Sequence, residues 1–366
     1  MQCVILSSWD FIMGPQIEKL WVQASDKNIN FSKVPDDILS DYNTSKHFKC
    51  VGDSNSAFYK FDMKTFCMMC GQLLLGEVDL YKTYQGNASR FYLTGNKILV
   101  SVFFQMKSWL HSENLKKTED ASLCFGAIFK HEVLQFVLNK HSVIDNYLRK
   151  MSFLMQNCQQ SMDFPVEQIS AMVNELSLVL DSLAHYSISK MKVPSQEVWL
   201  VSSNIKAVVS HLQTSGHTAI VGDSEYKINE LICALSMFCS HNECLNSISV
   251  TQKTLKSGIN GIYIQGTIKK APDECEILLE NAVKDSLPLT VVDTDMSKVW
   301  QTLPYHNNFE KKKNFGMIEE IGSFVPQVLN DLKFVPENRI QMFFEKFCKS
   351  LAMKAVSIIK LIESCR

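Results

Sequence analysis

Residues His217 to Phe238 read HTAIVGDSEYKINELICALSMF. A short apolar, β-branched run ends at Gly222-Asp223-Ser224, and apolar residues then recur at helical spacing. A buried strand feeding a helix through a tight turn commits this part of the chain to an α/β sheet. It is also the outline of a nucleotide-binding turn, where backbone N–H groups at a helix start hold a phosphate. A phosphate loop needs Gly-x-x-x-x-Gly-Lys-Ser/Thr, and a dinucleotide fold needs Gly-x-Gly-x-x-Gly. This turn offers a single glycine, followed by Asp223 and Glu225. Those carboxylates suit the positive end of the helix dipole, and Asp223 or Ser224 makes a good N-cap. At the same spot they would repel a phosphate. Gly222 and Asp223 are therefore read as architecture, and an enzyme holding a nucleotide cofactor here is the alternative to be tested.

Around this unit the second half alternates helix and strand. Helices are expected over Glu197–Gln213 and Glu225–Cys239, and strands over His217–Val221, Gly261–Gly266 and Leu287–Asp295. Such alternation implies a mostly parallel sheet covered by helices. The first half has a different rhythm. Met1 to Val22 reads as a hairpin turning at Met13-Gly14-Pro15, and a polar segment from Gln23 to about Ser56 reads as a long loop. Lys64 to Asp79 has helical spacing. Strands Arg90–Leu93 and Ile98–Gln105 flank a Gly-Asn turn, and SLCFGAIF and VLQFVL read as a further strand pair. Helices follow over His141–Gln159 and from Phe164-Pro165 to Tyr186, and a polar stretch with Pro194 marks a boundary. The fold class is α/β: an α+β sandwich over 1–160, a connecting helix and linker over 161–196, an α/β core over 197–304, and a helical part over 305–366.

Composition excludes several functions. The formal net charge is -1, so no global field draws nucleic acid or an anionic membrane. Only Arg90, Arg149, Arg339 and Arg366 carry guanidinium groups, the fork that phosphate recognition and arginine fingers need. The twelve cysteines are scattered through apolar stretches and read as reduced thiols. The N-terminus shows no basic n-region, and uninterrupted apolar runs stop well short of the roughly 20 residues a span requires. A soluble, intracellular chain without membrane insertion is expected. Cys67-Met-Met-Cys70 has zinc or redox spacing but no second pair, so core thiols are expected. Cys239-Ser-His-Asn-Glu-Cys244 could supply three soft ligands without an evident fourth, and a loop after a helix explains it equally well. No nucleophile elbow or paired acid and base appears. The expectation is therefore no catalytic residue, no metal and no cofactor.

The final helix is more telling. Phe343, Phe344, Phe347, Leu351, Ala355, Ile358, Ile359 and Ile362 point in several directions, beyond the single stripe of a surface helix. Either it is buried on most sides within its own domain, or its outer face meets another chain. Each large side chain left exposed would forgo roughly 1.5–3 kcal/mol of burial.

Several stretches carry a family resemblance. SSWDFIMGPQIEKLWV (Ser7–Val22) resembles the first hairpin of longin domains in the DENN superfamily, with Trp9, Gly14 and Pro15 as its marks. SHLQTSGHTAIVGDSEYKINELICAL (Ser210–Leu235) and GIYIQGTIK (Gly261–Lys269) resemble the chromosome-nine open-reading-frame-seventy-two family of DENN proteins. VVDTDMSKVWQTLPYH (Val291–His306) and KAVSIIKLIE (Lys354–Glu363) fit the same family in the same order. The resemblance implies a longin domain followed by a DENN module. It implies as partners a second longin–DENN protein, the Smith–Magenis-region partner, together with a WD-repeat subunit. The implied activity is regulation of Rab and Arf small GTPases in autophagy and endolysosomal traffic, with recruitment to lysosomes, endosomes or autophagosomes. DENN proteins imply guanine-nucleotide exchange, whereas this branch resembles GTPase-activating complexes with the arginine on the partner. A scaffold that positions the partner without touching the GTPase is the alternative. Longer members continue with a C-terminal tail beyond Glu363, so a smaller partner interface is expected here. Trp9, Gly14, Pro15, Gly222, Asp223, Phe343, Phe344, Phe347, Ile358 and Ile359 are the structural or interface candidates.

Overall fold

Strand β1 (Cys3–Asp10) is buried without interruption from Cys3 to Ser8, on both faces of its pleat, which suits a strand in mid-sheet. A computed structural model describes residues 1–10, 14–23, 48–51, 88–106, 121–157, 165–188, 194, 196–251, 261–284, 288–302, 315–318 and 322–364. The chain divides into two compact units, Met1–Leu180 and Asp181–Arg366.

In the first unit β1 is joined by β2 (Gly14–Gln23), β3 (Phe48–Val51), β4 (Ala88–Thr94), β5 (Lys97–Met106) and β6 (Ala121–Lys130). Their order is β3-β2-β1-β6-β5-β4, and every neighbouring pair is antiparallel. The expected hairpin is present, but Gly14 and Pro15 already pair with Asp10 and Trp9 inside the ladder. The second hairpin turns at Gly95, whose φ of 54° is the left-handed region glycine enters without a Cβ clash. Phe104 stacks on Phe125 at 5.6 Å between ring centres, and Trp21 lies 6.1 Å from Phe125. Trp21 is fully buried, and its indole N–H donates to Ser170 Oγ at 2.9 Å. Ser170 stands on α3 (Val166–Tyr186), and Asn174 of the same helix bonds both the N–H and the C=O of Phe48.

VLQFVL is not a strand. His131–Val133 form a 3-10 turn and Leu134–Asn139 a helix, α1, before the long helix α2 (His141–Asn157). The edges of β6 are taken by β1 and β5, which leaves no ladder beside it for another strand. An apolar run without clear period cannot be assigned by pattern alone. Strand β3 falls inside the segment expected to be loop. The expected helix over Lys64–Asp79, with Cys67 and Cys70, lies outside the described residues, as does the Tyr305–Asn314 loop.

The second unit holds β7 (Thr218–Gly222), β8 (Ile248–Thr251), β9 (Ile264–Ile268), β10 (Thr290–Asp293), β11 (Lys298–Thr302) and β12 (Phe315–Met317). They run in the order β12-β11-β10-β7-β9-β8, parallel from β10 to β8 and antiparallel from β10 to β12. Every residue of β7 is buried, the signature of a strand covered on both faces. Its side chains divide by parity. Ile220 packs with α4 (Ser202–Gln213) and α5 (Glu225–Ser236), whereas Ala219 and Val221 pack against Leu278 and Leu279 of α7 (Glu274–Lys284). Between α5 and β8, Ser240 caps a one-turn helix, α6 (His241–Leu245). The helix expected from Glu197 is broken at Val201, with 3-10 turns over Gln196–Leu200 before α4. Helices α8 (Phe324–Asp331) and α9 (Ile340–Ser364) form the helical end. Helix α7 and strands β8, β11 and β12 were not anticipated.

Gly266 on β9 is what lets α5 lie close to the sheet. A Cβ there would stand 2.7 Å from both Ile228 Cγ2 and Ile232 Cδ1, and 3.3 Å from the Val250 backbone. Gly126 on β6 is also tight, but only the Leu99 Cδ1 methyl, at 2.9 Å, is in the way. Gly266→Ala should therefore cost about 1–3 kcal/mol through overpacking, and Gly126→Ala clearly less, because one side-chain end can turn aside. Urea unfolding of the two variants checks this; equal losses would contradict it.

Candidate functional site

Helix α5 covers one face of the second sheet and α7 the other, so the loops after β7 and β9 diverge to opposite faces. Divergence of this kind opens a crevice at the carboxyl ends of parallel strands, where α/β proteins seat their ligands. The Gly222-Asp223-Ser224 turn lies there. Ser224 is the N-cap of α5, its Oγ accepting the Lys227 N–H at 3.5 Å, and Glu225 sits in the first turn. The capping expected from the sequence is present, by Ser224.

The chain lays its own atoms over the turn, beside a cavity of about 330 Å3 lined by Tyr226, Lys227, Thr294 and Ser297. The segment after β10 closes over the turn: the Thr294 N–H donates to Val221 O at 2.9 Å. A Cβ on Gly222 would stand 2.0 Å from Thr294 Oγ1, so glycine is required by close approach and not by unusual backbone angles. Asp295 Oδ2 accepts the Asp223 N–H at 2.8 Å. In a phosphate loop this amide would face the anion. Here the anion is a carboxylate of the same chain.

Asp293 holds that arrangement from below. Its Oδ1 accepts the N–H groups of Asp295 and Met296, both at 2.9 Å, and its Oδ2 lies 2.8 Å from Lys269 Nζ. Lys269 follows β9, and its N–H donates to Gly222 O at 2.9 Å. Burial alone would raise the Asp293 carboxyl, but the Lys269 ammonium and the two backbone donors outweigh it and hold it below its ordinary value. The hydrogen bond to Asp293 in turn raises the Lys269 ammonium. Burial, together with Asp293, pushes the neighbouring Cys275 thiol up to about 12, an inert core thiol. Three strand ends are thus tied by charge-assisted bonds, with Asp293 buried and Asp223, Glu225 and Asp295 exposed above it.

The aromatic residues of the final helix form a second cluster in this unit. Phe344 is buried, 4.7 Å from Phe238 and 6.4 Å from Trp199 between ring centres. Phe347 lies 5.8 Å from Phe324 and 6.1 Å from Phe238, and Phe343 is half-buried beside Phe344. The first turns of α9 therefore dock onto their own unit. Ile358 and Ile359 stand on its later turns. Trp9, Gly14 and Pro15 sit at the closed end of the β1–β2 hairpin. Reasoning from sequence found Gly222 and Asp223 but missed Lys269, Thr294 and Asp295. The signal for the last two was the Asp-Thr-Asp ending of a buried strand, VVDTD. Among the described residues no group of three or more His, Cys, Asp or Glu could hold a metal ion.

The model of the C9orf72-like protein family matches residues 96–308, more than half of the 366. The chain belongs to the C9orf72-like family. Both the antiparallel β5–β6 pair and the covered turn fall within the matched residues. The chain is 27% identical over 120 residues to the guanine nucleotide exchange factor C9orf72 homologs of Rattus norvegicus and Mus musculus. It is 26% identical over 120 residues to guanine nucleotide exchange factor C9orf72 of Homo sapiens. Each match covers 33% of this chain, and it spans 25% of the length of the curated relatives.

Gly222→Ala should destabilise the second unit by forcing Thr294 off Val221. Removing the obstructing oxygen should give much of that back. A double-mutant cycle with Thr294→Ala checks this: the pair should couple favourably by about 0.5–3 kcal/mol. Simple additivity would show that Thr294 does not occupy the turn.

Proposed function

We propose that this C9orf72-like chain regulates a small GTPase and does not bind a nucleotide itself. Its relatives are named guanine nucleotide exchange factors, and that likeness carries the reading. The covered turn favours it, because the Asp223 N–H at the head of α5 is taken by Asp295. On this reading the first unit is a longin domain and the second a DENN module, with Rab or Arf proteins as the GTPases. The chain works beside a second longin–DENN protein and a WD-repeat subunit, in the cytoplasm and at lysosomes, endosomes or autophagosomes.

Two of the four arginines are already engaged by neighbours in the first unit. Arg149 is engaged by Asp145 at 2.7 Å, and Arg90 donates to the Tyr92 hydroxyl at 3.0 Å. An arginine finger must be free to enter another protein's active site. If the assembly promotes hydrolysis, the family resemblance puts that group on the partner.

The test is a nucleotide-exchange and hydrolysis assay on a panel of Rab and Arf proteins, with the chain alone and with its longin–DENN partner. Accelerated exchange or hydrolysis on at least one member is expected when the chain is added. No change on any member would overturn the proposal. Activity of the complex that survives mutation of this chain's GTPase-facing surface would reduce the chain to a scaffold.

A further inference from the structure

The turn between α5 and α6 carries chemistry that GTPase regulation does not use. Ser240 and Glu243 form a capping box: Ser240 Oγ accepts the Glu243 N–H at 3.4 Å, and Glu243 Oε2 accepts the Ser240 N–H at 2.5 Å. Residues before the cap and four into the helix then meet as a staple, ordinarily of two hydrophobic side chains. In this chain those two positions are Cys239 and Cys244. Cys239 Sγ faces Leu235 O at 3.8 Å, and Cys244 Sγ faces Ser236 O at 3.6 Å. The two thiols lie close enough for the titration of one to act on the other, and neither is in a disulfide. Cys239 Sγ also lies 3.5 Å from His211 Nε2, and His211 Nδ1 is 2.8 Å from Thr218 Oγ1.

Both sulfurs line a cavity of about 950 Å3, together with His211, Glu243 and Cys348. A reagent of hydroperoxide size can therefore reach a pair whose own exposure is small. The two thiols are not equivalent. The neighbouring Cys239 lowers the Cys244 thiol, while Cys244, with burial, raises that of Cys239 well above its ordinary value. Burial pushes the Cys348 thiol up to about 11, and its Sγ is turned to Phe238 O at 3.3 Å. Burial, with His217, pushes His211 down to about 3, so the imidazole beside Cys239 is neutral.

We propose that Cys239 and Cys244 are a dithiol modification site, oxidised to a disulfide by a hydroperoxide and captured by trivalent arsenicals. Cys244 is the attacking thiolate. Its sulfur takes the terminal oxygen of ROOH as the O–O bond breaks, and the departing alkoxide takes a proton to become ROH. Cys239 sulfur then attacks the Cys244 sulfenic acid. The S–S bond forms, the S–O bond breaks, and hydroxide leaves with the Cys239 proton as water. Two thiols are oxidised by two electrons and one hydroperoxide is reduced. The disulfide closes the staple covalently, in the turn that also carries Phe238, the ring on which Phe344 of α9 is seated.

The test treats the purified full chain with hydrogen peroxide and maps disulfides by mass spectrometry of non-reduced digests. A Cys239–Cys244 cross-link reversed by reductant is expected, retained in Cys348→Ser and lost in Cys244→Ser. Phenylarsine oxide should protect both thiols of the untreated wild-type protein from alkylation together, a readout independent of any variant. Cross-links joining either residue to another cysteine, or separate alkylation of the two after the arsenical, would overturn the proposal.

Discussion

A carboxylate oxygen 2.8 Å from a backbone amide fastens the turn at the centre of the second unit. Asp295 reaches from the end of β10 to the Asp223 N–H at the head of α5, and Asp293 aims it by gripping the amides of Asp295 and Met296. Lys269, from the end of β9, neutralises Asp293 and ties the third strand to the same point. For the buried Asp293, hydrogen bonds to a charged group contribute on the order of 1.5–3 kcal/mol each. Losing one member of a buried pair typically costs about 3–5 kcal/mol, because the other charge stays uncompensated. The turn at the head of that crevice is thereby covered by the chain's own residues.

Much of this was legible in the sequence. A strand buried on both faces, a lone glycine and acids at a helix start say that the turn caps a helix, as Ser224 does. What the turn contacts was not legible, because Lys269 and Asp295 lie 47 and 72 residues beyond Gly222 and Asp223 and only the fold brings them back. Periodicity failed where an apolar run had no clear period. VLQFVL became helix because β6 had no edge left for it, a fact of topology that local pattern does not contain. Strand β3 escaped notice for the opposite reason: four residues in a polar segment carry too little pattern. The aromatic excess of the final helix admitted burial at home or a partner outside. For Phe344 the ring contacts with Phe238 and Trp199 place it at home.

Membership of the C9orf72-like family and the covered turn bear on the same question from separate directions. One concerns what relatives are named for, the other what this chain's own atoms leave room for. On the proposed reading, the nucleotide that matters sits in a partner GTPase, and this unit offers a fastened α/β platform. The dithiol beside the aromatic cluster would then give that platform a covalent lock responsive to hydroperoxide.

The central claim is that Asp295 takes the Asp223 N–H that a phosphate at the Gly222 turn would need. Thermal unfolding of the full chain in saturating GTP, GDP, ATP or NAD tests it most directly, since a bound ligand stabilises by RT ln(1 + [L]/Kd), about 2.7 kcal/mol at a hundred times Kd. Melting curves that coincide with and without each nucleotide are the expected result. A rise in midpoint with any of them, abolished by Gly222→Val, would place a nucleotide in the turn and contradict the account.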